Sequence, residues 1–314
     1  MGVKTSMHSN EIAVSRQKYT KRERREHRQG YLFLTPAIIV TSIFIGLSVL
    51  FVIYLSFHKV NLFNRTYTLV GLDNYIRALT DETTRVAFKN TLTFSVIVVP
   101  IQTFLALVMA SVLNSKIKGK MIFRTVYFLP TLTSSSALTL IFMFMFSVTG
   151  PINGMLINMG FYDKGINFLQ NPNFSLKVIM AMNIWSTIPF YMTLYLATLQ
   201  DLPDSMYEAA EIDGANAAKK FFYITIPYLK PMTAYVLLTS IIGTLQMFDQ
   251  AYIFSNGSGG PANSTLTVSL MIYRYAFGTQ NAMGFAATLA IILAVVILLL
   301  SLLSQKITKS ERLY

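Results

Sequence analysis

The sequence predicts an all-α integral membrane protein with six transmembrane helices and both termini in the cytoplasm. Hydrophobic residues make up 53% of the 314-residue chain and charged residues only 13%, whereas soluble domains carry about 25% charged residues. The mean hydropathy is +0.50. Crossing the hydrocarbon core of a bilayer takes about 20 mainly apolar residues, and six segments of the sequence are long enough.

The six predicted spans are separated by polar segments. In order they are Tyr31–Phe57, Thr91–Leu113, Met121–Phe146, Leu176–Leu199, Met232–Phe254 and Ala282–Ser304. Pro100 and Pro189 lie inside the second and fourth spans, which membrane helices tolerate where neighbouring groups satisfy the freed carbonyls. The first span is not a cleavable signal peptide, because its apolar run is too long and thirty residues precede it.

The distribution of basic residues orients these spans. The net charge is +12, and 18 of the 26 Lys and Arg residues fall in segments 1–30, 114–124, 219–230 and 306–312. With six spans, these segments all lie on the same side of the membrane. The positive-inside rule places that side in the cytoplasm. The charge thus suits anionic lipid headgroups, and nucleic-acid binding is not expected.

The remaining composition excludes several kinds of site. The chain has no cysteine and three histidines, His8, His27 and His58, all outside the spans. Disulfides and thiolate metal sites are therefore excluded, and neither a metal centre nor a Ser-His-Asp triad is expected.

The predicted organisation is a basic cytoplasmic tail (1–30), the first transmembrane helix (31–57), an external loop (58–87), a transmembrane core (88–304) that contains the cytoplasmic loop 200–231, and a cytoplasmic tail (305–314). The external loop contains "VGLDNYIRAL", which predicts a short amphipathic helix at the membrane surface.

The cytoplasmic loop 200–231 is the most polar part of the predicted core. Five of the fourteen acidic residues lie between Asp201 and Asp213 with no basic residue among them, and three of these acids, Asp204, Glu208 and Glu211, share one helix face. Gly214 is suited to end this helix in a left-handed conformation. Asn216 can cap a second helix, which Pro227 is predicted to end. Two interpretations of the acids remain open: a solvated face that favours the helix dipole, or a surface for a basic partner.

The same loop resembles a known motif. Glu208-Ala209-Ala210, then Gly214, then Ile224-x-Ile226-Pro227 is similar to the "EAA" loop of ABC importer membrane subunits, with Ile226 in place of the usual Leu. The fragments "YLFLTPAIIV", "GLDNY", "FRTVYFLP" and "FDQAYIFSNGSGGPANST" resemble the sugar-importer branch, so the resemblance extends from residue 31 to about 277. The chain looks like the MalF-like member of the usual pair of different permeases in a type I importer.

This resemblance implies a coupling helix that docks into a cytosolic ABC ATPase dimer. The residues it assigns to coupling are Glu208, Ala209, Ala210, Glu211, Asp213 and Gly214. The other implied partners are a second, MalG-like permease and an extracytoplasmic solute-binding protein, in the plasma membrane of a bacterium. The chain has no phosphate-binding loop. We therefore expect it to be no enzyme and to bind no cofactor, with ATP and Mg²⁺ held by the ATPase.

Polar faces of the fourth and fifth spans predict a substrate site near the bilayer midplane. The candidate contacts are Asn183, Trp185, Thr187 and Tyr191 on the fourth span, and Thr239, Gly243 and Gln246 on the fifth. Amides, hydroxyls and aromatic rings suit a sugar, and in related maltose-type permeases the sugar contacts lie on these two helices. The alternative is that these small and polar residues only hold helices together.

Asp249 is the only acid well within a predicted span. Its position, about 7.5 Å from the outer end at 1.5 Å per residue, favours a hydrogen bond at an outer gate over proton coupling. No Lys or Arg lies at midplane depth, which disfavours a phosphorylated substrate such as glycerol phosphate without excluding it. An ion-coupled secondary transporter would be expected to have deep acids or histidines and no docking loop, and the sequence meets neither expectation.

Overall fold

The structure is a computed structural model that describes residues 21–61, 66–114, 120–278 and 282–308. The chain divides into two compact units, Met1–Phe51 and Val52–Tyr314. Nearly all regular structure in the described residues is helical. Of the predicted cytoplasmic tails, residues 1–20 and 309–314 lie outside the described residues.

The first unit holds most of the first predicted span. Helix α1 (Lys21–Thr41) runs into a π-helical turn, Ser42–Leu47, and α2 (Ser48–Ser56) completes the span. Apolar side chains occupy every face from Tyr31 onwards, as a helix that crosses lipid requires. The helix extends from the span into the basic segment before it, so the tail is helical from Lys21 onwards.

The segment 58–87, predicted to be external, contains one predicted and one unpredicted element. It forms strands β1 (His58–Asn61) and β2 (Thr66–Leu69) and helix α3 (Asp73–Thr80). The strands pair antiparallel. The predicted amphipathic helix is present, and the hairpin was not predicted. The Asn74 amide nitrogen of α3 donates to the carbonyl oxygens of Ser56 and His58 at 2.9 and 3.1 Å. It thereby satisfies these two carbonyls and fixes α3 beside Ser56 and His58, within the second unit.

Helices make up the rest of the second unit. They are α4 (Glu82–Asn114), α5 (Lys120–Leu132), α6 (Ser135–Met145), α7 (Pro151–Asn158), α8 (Ser175–Gln200), α9 (Asp204–Ile212), α10 (Ala217–Lys220), the π-helical turn Phe221–Thr225, α11 (Ile226–Tyr228), α12 (Lys230–Leu245), α13 (Asp249–Ser255), α14 (Val268–Phe277) and α15 (Met283–Thr308). Helix α4 already begins at Glu82, so the predicted core boundary at residue 88 lies inside this helix.

Fewer than six helices qualify as spans by length and composition. Within the described residues, four do so: Arg25–Ser56, Glu82–Asn114, Lys230–Ser255 and Met283–Thr308. A bent pair, α5 with α6, gives a fifth if counted as one span. Helix α8, over the fourth predicted span, has 26 residues and is long enough, but Asn183, Ser186 and Thr187 make it less apolar.

The third predicted span, Met121–Phe146, was expected to be one continuous helix. In the structure it consists of two helices. Helices α5 and α6 meet at an angle of 106°. The sequence explains the break, because Pro130 precedes a run of Ser and Thr whose hydroxyls compete for backbone hydrogen bonds. The Ser134 hydroxyl accepts from the backbone N–H of Ala137 at 3.2 Å and caps α6. The break therefore provides its own cap.

The fifth predicted span, Met232–Phe254, is also interrupted. Helix α12 ends at Leu245 and α13 starts at Asp249. The Thr267 hydroxyl, fully buried, donates to the carbonyl oxygen of Met247 at 2.9 Å. That bond satisfies a backbone acceptor released by the interruption, which lipid could not do.

The core is built around the pair α4 and α8. Ala106 and Ala110, one helical turn apart on α4, are fully buried and belong to one cluster with Met192 and Tyr195 of α8. Small residues at this spacing let membrane helices approach closely. On the same helix, the Ser95 hydroxyl bonds the Thr244 hydroxyl of α12 at 2.8 Å. Helix α4 is thus the common partner of α8 and α12, the two helices predicted to carry the substrate site.

The buried Gly284 gives a stability prediction. A Cβ at this residue of α15 would overlap the carbonyl oxygen of His58 in β1. Gly284→Ala should therefore lower the free energy of unfolding by about 1–3 kcal/mol, as overpacking does, measured by thermal unfolding in detergent. Gly154→Ala in α7 is the matched control, because a Cβ there meets nothing within 4 Å. It should be neutral or stabilise by up to about 1 kcal/mol. Equal effects at the two sites would contradict the assignment of a tight contact.

Candidate functional site

Two neighbouring cavities lie where the interrupted spans meet α8. Their volumes are about 230 and 240 Å³, and both are lined by Ser135 and Gln250. The first lies between the α5–α6 break and α8, with Thr131, Thr187 and Tyr191 in its wall. The second lies at the α12–α13 break; its wall consists of Ser135, Asn183, Gly243, Gln246, Met247, Phe248, Asp249 and Gln250. Each helix break therefore borders a cavity and is not filled by neighbouring side chains.

A chain of hydrogen bonds connects three elements at this depth. The Thr187 hydroxyl donates to the side-chain oxygen of Gln102 in α4 at 2.6 Å and also contacts the Asn183 carbonyl oxygen at 2.8 Å. The Asn183 amide nitrogen donates to the side-chain oxygen of Gln250 in α13 at 3.2 Å. The side-chain oxygen of Asn183 is buried and has no hydrogen-bond partner in the part of the chain that the structure describes. A buried acceptor without a described partner thus remains in a residue that lines the second cavity.

Five predicted contacts on the two spans line the cavities, and two do not. Thr187 and Tyr191 line the first cavity, and Asn183, Gly243 and Gln246 line the second. Trp185 is 46% exposed, and its ring packs 5.6 Å from the ring of Phe142. The Thr239 hydroxyl bonds the carbonyl oxygen of Tyr235 within its own helix. Asp249, the predicted outer-gate residue, lines the second cavity beside Gln246.

Sequence reasoning missed the partners contributed by other elements. Gln102, Ser135 and Gln250 were not among the predicted contacts, although Gln102 is 1% exposed in the middle of α4. An amide in an otherwise apolar span was the available signal, because burying it requires a partner. For Ser135 the signal was the run of hydroxyl residues after Pro130, which was assigned to a continuous helix.

The cytoplasmic loop forms a defined helix end. The Gly214 N–H donates to the Glu211 carbonyl oxygen at 3.0 Å, and the Ala215 N–H donates to the Ala210 carbonyl oxygen at 2.8 Å. This is a Schellman arrangement, and Gly214 has a φ of 73°. The side-chain oxygen of Asn216 accepts from the Lys219 N–H at 2.9 Å and caps the next helix, as predicted. Pro227 does not end that helix, because the chain continues through the π-helical turn into α11.

The acidic face of α9 is only partly unpaired. None of the residues of α9 is buried. The Lys220 ammonium lies 2.6 Å from the carboxylate of Glu211, so the predicted unpaired face is wrong at Glu211. Glu208 has no ion pair within the described residues. The Tyr207 and Thr225 hydroxyls bond each other at 2.9 Å. Together with the ion pair, that bond links α9 to the segment after the turn.

A comparison with protein-family models decides the family. Residues 102–311 match the model described as "Binding-protein-dependent transport system inner membrane component". The chain belongs to this family. The matched region contains both cavities and the whole cytoplasmic loop, so the resemblance read from the EAA motif to an ABC importer permease is confirmed.

Curated permeases resemble the chain over most of their length. The lactose transport system permease protein LacF of Rhizobium radiobacter is 38% identical, over 87% of this chain and 92% of its own. The arabinooligosaccharides transport system permease protein AraP of Bacillus subtilis (strain 168) is 35% identical, over 89% and 88%. The trehalose/maltose transport system permease protein MalF of Thermococcus litoralis is 32% identical, over 93% and 98%.

A solved permease shares the fold. A chain from the crystal structure of a bacterial alginate ABC transporter in complex with alginate pentasaccharide-bound periplasmic protein superposes with a TM-score of 0.78. It is 23% identical, and the match covers 92% of this permease and 98% of that chain. At this identity the likeness shows the helical fold of an ABC transporter permease.

The bond from Thr187 to Gln102 gives a second prediction. Thr187→Val leaves the buried Gln102 oxygen without its donor, so the permease should lose about 1 kcal/mol of stability, the usual size of such bonds between membrane helices. Thr193→Val is the control, because within the described residues the hydroxyl of Thr193 bonds only the Pro189 carbonyl oxygen of its own helix, at 2.9 Å. Thermal unfolding of the two variants should show a lower midpoint for Thr187→Val; equal midpoints would contradict it.

Gly214 gives a third prediction. A Cβ at Gly214 meets nothing within 4 Å, so its φ, not crowding, is what requires glycine. Gly214→Ala places an L-residue in the left-handed region at a cost of about 1–2 kcal/mol, whereas Asn tolerates that region. Amide hydrogen exchange at Ala215 should speed up roughly tenfold in Gly214→Ala and much less in Gly214→Asn. The same exchange rate in both variants would rule out a conformational role.

Proposed function

We propose that this permease forms the translocation path for a di- or oligosaccharide in an ATP-driven importer. The observation that carries the proposal is the pair of cavities where two interrupted spans meet α8, which are lined by hydroxyl and amide side chains and, in the second cavity, by Asp249. Transporter sites commonly lie at such broken helices. The printed names of three similar permeases, which specify lactose, arabinooligosaccharides and trehalose or maltose, support a sugar.

The chemistry of the cavity walls suits a sugar. Hydroxyl groups both donate and accept, so they match the amides of Asn183 and Gln246 and the hydroxyl of Thr187. The apolar face of a pyranose ring packs on aromatic rings, and Phe190 and Tyr191 lie together in the wall of the first cavity with ring centroids 5.4 Å apart. Asn183, Thr187, Tyr191 and Gln246 are therefore the proposed sugar contacts, with Gly243 giving close approach at the break.

The proposed membrane arrangement has six spans with both termini in the cytoplasm. Helix α8 is the remaining span. It is less apolar than the others, but its 26 residues reach about 39 Å at 1.5 Å per residue, which is long enough to cross the membrane. The bent pair α5–α6 counts as one span. The concentration of 18 of 26 basic residues on one side supports this orientation. The location follows as the bacterial plasma membrane, with Asp249 at an outer gate.

The proposed partners follow from the loop and the family. Helix α9 is the coupling helix, and its exposed Glu208 meets a basic group in the cleft of a cytosolic ATPase dimer. That dimer holds ATP and Mg²⁺ and carries out hydrolysis, while this chain performs no catalysis. A second, different permease completes the path, and an extracytoplasmic solute-binding protein delivers the sugar. ATP-driven closure of the dimer then moves the two permeases from an inward-facing to an outward-facing state.

Charge reversal in the coupling helix tests this assignment. Glu208→Arg should reduce ATP-driven uptake by roughly tenfold or more, because a buried contact between opposite charges becomes a repulsive one. The importer is reconstituted with its ATPase, second permease and binding protein, and uptake is measured with a panel of radiolabelled di- and oligosaccharides.

Asp163→Arg serves as the control, since Asp163 is exposed in the segment between α7 and α8, which the proposed six-span arrangement places outside the cell. It carries the same charge change to the opposite side of the membrane and should keep full ATPase association. Unchanged uptake and ATPase association in Glu208→Arg would exclude the coupling role. Uptake of none of the saccharides by the wild type would exclude the sugar assignment.

A further inference from the structure

The second cavity has one charged wall residue. Asp249 is exposed to the cavity, and its neighbours Ser135, Asn183, Gln246 and Gln250 are all uncharged. Its carboxylate makes no hydrogen bond or ion pair with the residues in the described part of the chain. The cavity therefore has one negative side chain in its wall and no basic side chain among its lining residues.

Resting on the proposed sugar function, we propose that this cavity selects substrates by charge. It admits neutral or cationic saccharides and excludes saccharides that carry a carboxylate, sulfonate or phosphate. Asp249 is the residue that sets this preference, and Asn183 reinforces it through its buried acceptor oxygen.

The helix segments that line this cavity carry no Lys or Arg. The sequence has no Lys or Arg between Arg124 and Lys164, between Lys177 and Lys219, or between Lys230 and Arg274. These intervals include all of α6 and α13, all of α12 after its first residue, and α8 beyond its first turn. Lys177, in that first turn, has its ammonium 5.5 Å from the ring of Phe174. It lies about 9 Å along the helix from Asn183.

The open hydrogen-bonding atoms point to the same preference. The side-chain oxygen of Asn183 is buried and has no partner among the described residues, in a residue only 9% exposed. Asn183 and Asp249 thus give the residues that line this cavity two acceptor groups without a donor in the described part of the chain. A sugar hydroxyl or an ammonium group supplies a donor, whereas an ionised carboxylate, sulfonate or phosphate supplies acceptors only. An anionic substituent would therefore leave a buried acceptor unsatisfied as well as meet a like charge.

Confinement makes this single charge effective. Clefts with low-dielectric walls concentrate the field of their charges and change the local concentration of ions by roughly 10- to 1,000-fold. The cavity occupies about 240 Å³, which brings any bound group close to Asp249. We therefore expect the cavity to favour a cation over an anion by roughly tenfold or more, the lower end of that range.

The absence of cysteine from the chain allows a direct measurement. Ser135→Cys, a near-isosteric change in the walls of both cavities, introduces one thiol into this subunit of the complete importer in nanodiscs. Its reaction rates with a cationic reagent, 2-(trimethylammonium)ethyl methanethiosulfonate, and an anionic one, 2-sulfonatoethyl methanethiosulfonate, are followed by mass spectrometry of this subunit. Each is divided by the rate with a small free thiol.

The cationic reagent should react faster by roughly tenfold or more, and Asp249→Asn should bring the ratio close to one. Asp163→Asn, which removes a carboxylate outside the cavity, should leave the ratio unchanged. An unchanged ratio in Asp249→Asn, or a thiol that reacts with neither reagent, would overturn the proposal. If one of these two results is found while a neutral sugar is still taken up, only the charge preference is wrong and the proposed transport function stands. If instead the rate ratio is roughly tenfold or more in the parent Ser135→Cys protein but no saccharide is taken up, only the transport function is wrong.

Discussion

A polypeptide in a bilayer can leave the helical conformation only where something other than lipid bonds the freed backbone groups. Two spans of this permease do so part-way along their length. At the α12–α13 interruption the donor is Thr267, fully buried, whose hydroxyl reaches the Met247 carbonyl oxygen at 2.9 Å. At the α5–α6 interruption, Ser134 caps the new helix. The cavities depend on these bonds, because two continuous helices would pack side by side and leave no comparable space.

The interruptions are useful only because the helices around them are firmly joined. Helix α4 runs unbroken for 33 residues despite Pro100, and it bonds α8 through Gln102 and α12 through Ser95. Its small residues bring α8 close along the other half of the span. The hydrogen bonds from Gln102 through Thr187 and Asn183 to Gln250 then connect α4 and α8 to α13. Each amide or hydroxyl orients the next side chain, so residues of neighbouring helices also fix the cavity wall.

The sequence predicts best what depends on local pattern. The second and sixth spans follow from uniform hydropathy, and the turn at Gly214 follows from the conformational freedom of glycine after an acidic helix. Helical periodicity places Asn183, Thr187 and Tyr191 on one face of α8, and in the structure these residues line the two neighbouring cavities. Composition could not reveal the two interruptions, since an apolar segment of sufficient length looks continuous. Gln102 and Lys220 were missed as partners because each acts on a residue of another helix, at a separation that no local pattern encodes.

The connection between the loop and the cavity is a matter of covalent continuity. Helix α12 begins at Lys230, directly after the fully buried Leu229, and ends at the interruption beside Gln246. Its 16 residues span about 24 Å at 1.5 Å per residue. The bond between Tyr207 and Thr225 ties the proposed coupling helix to the segment that leads into α12. In the proposed mechanism, a displacement of α9 by the ATPase is passed to the rigid helix α12, and the first place where this helix can bend is the cavity wall itself. The interruption that makes room for a sugar is also the hinge at which the proposed drive would act on it.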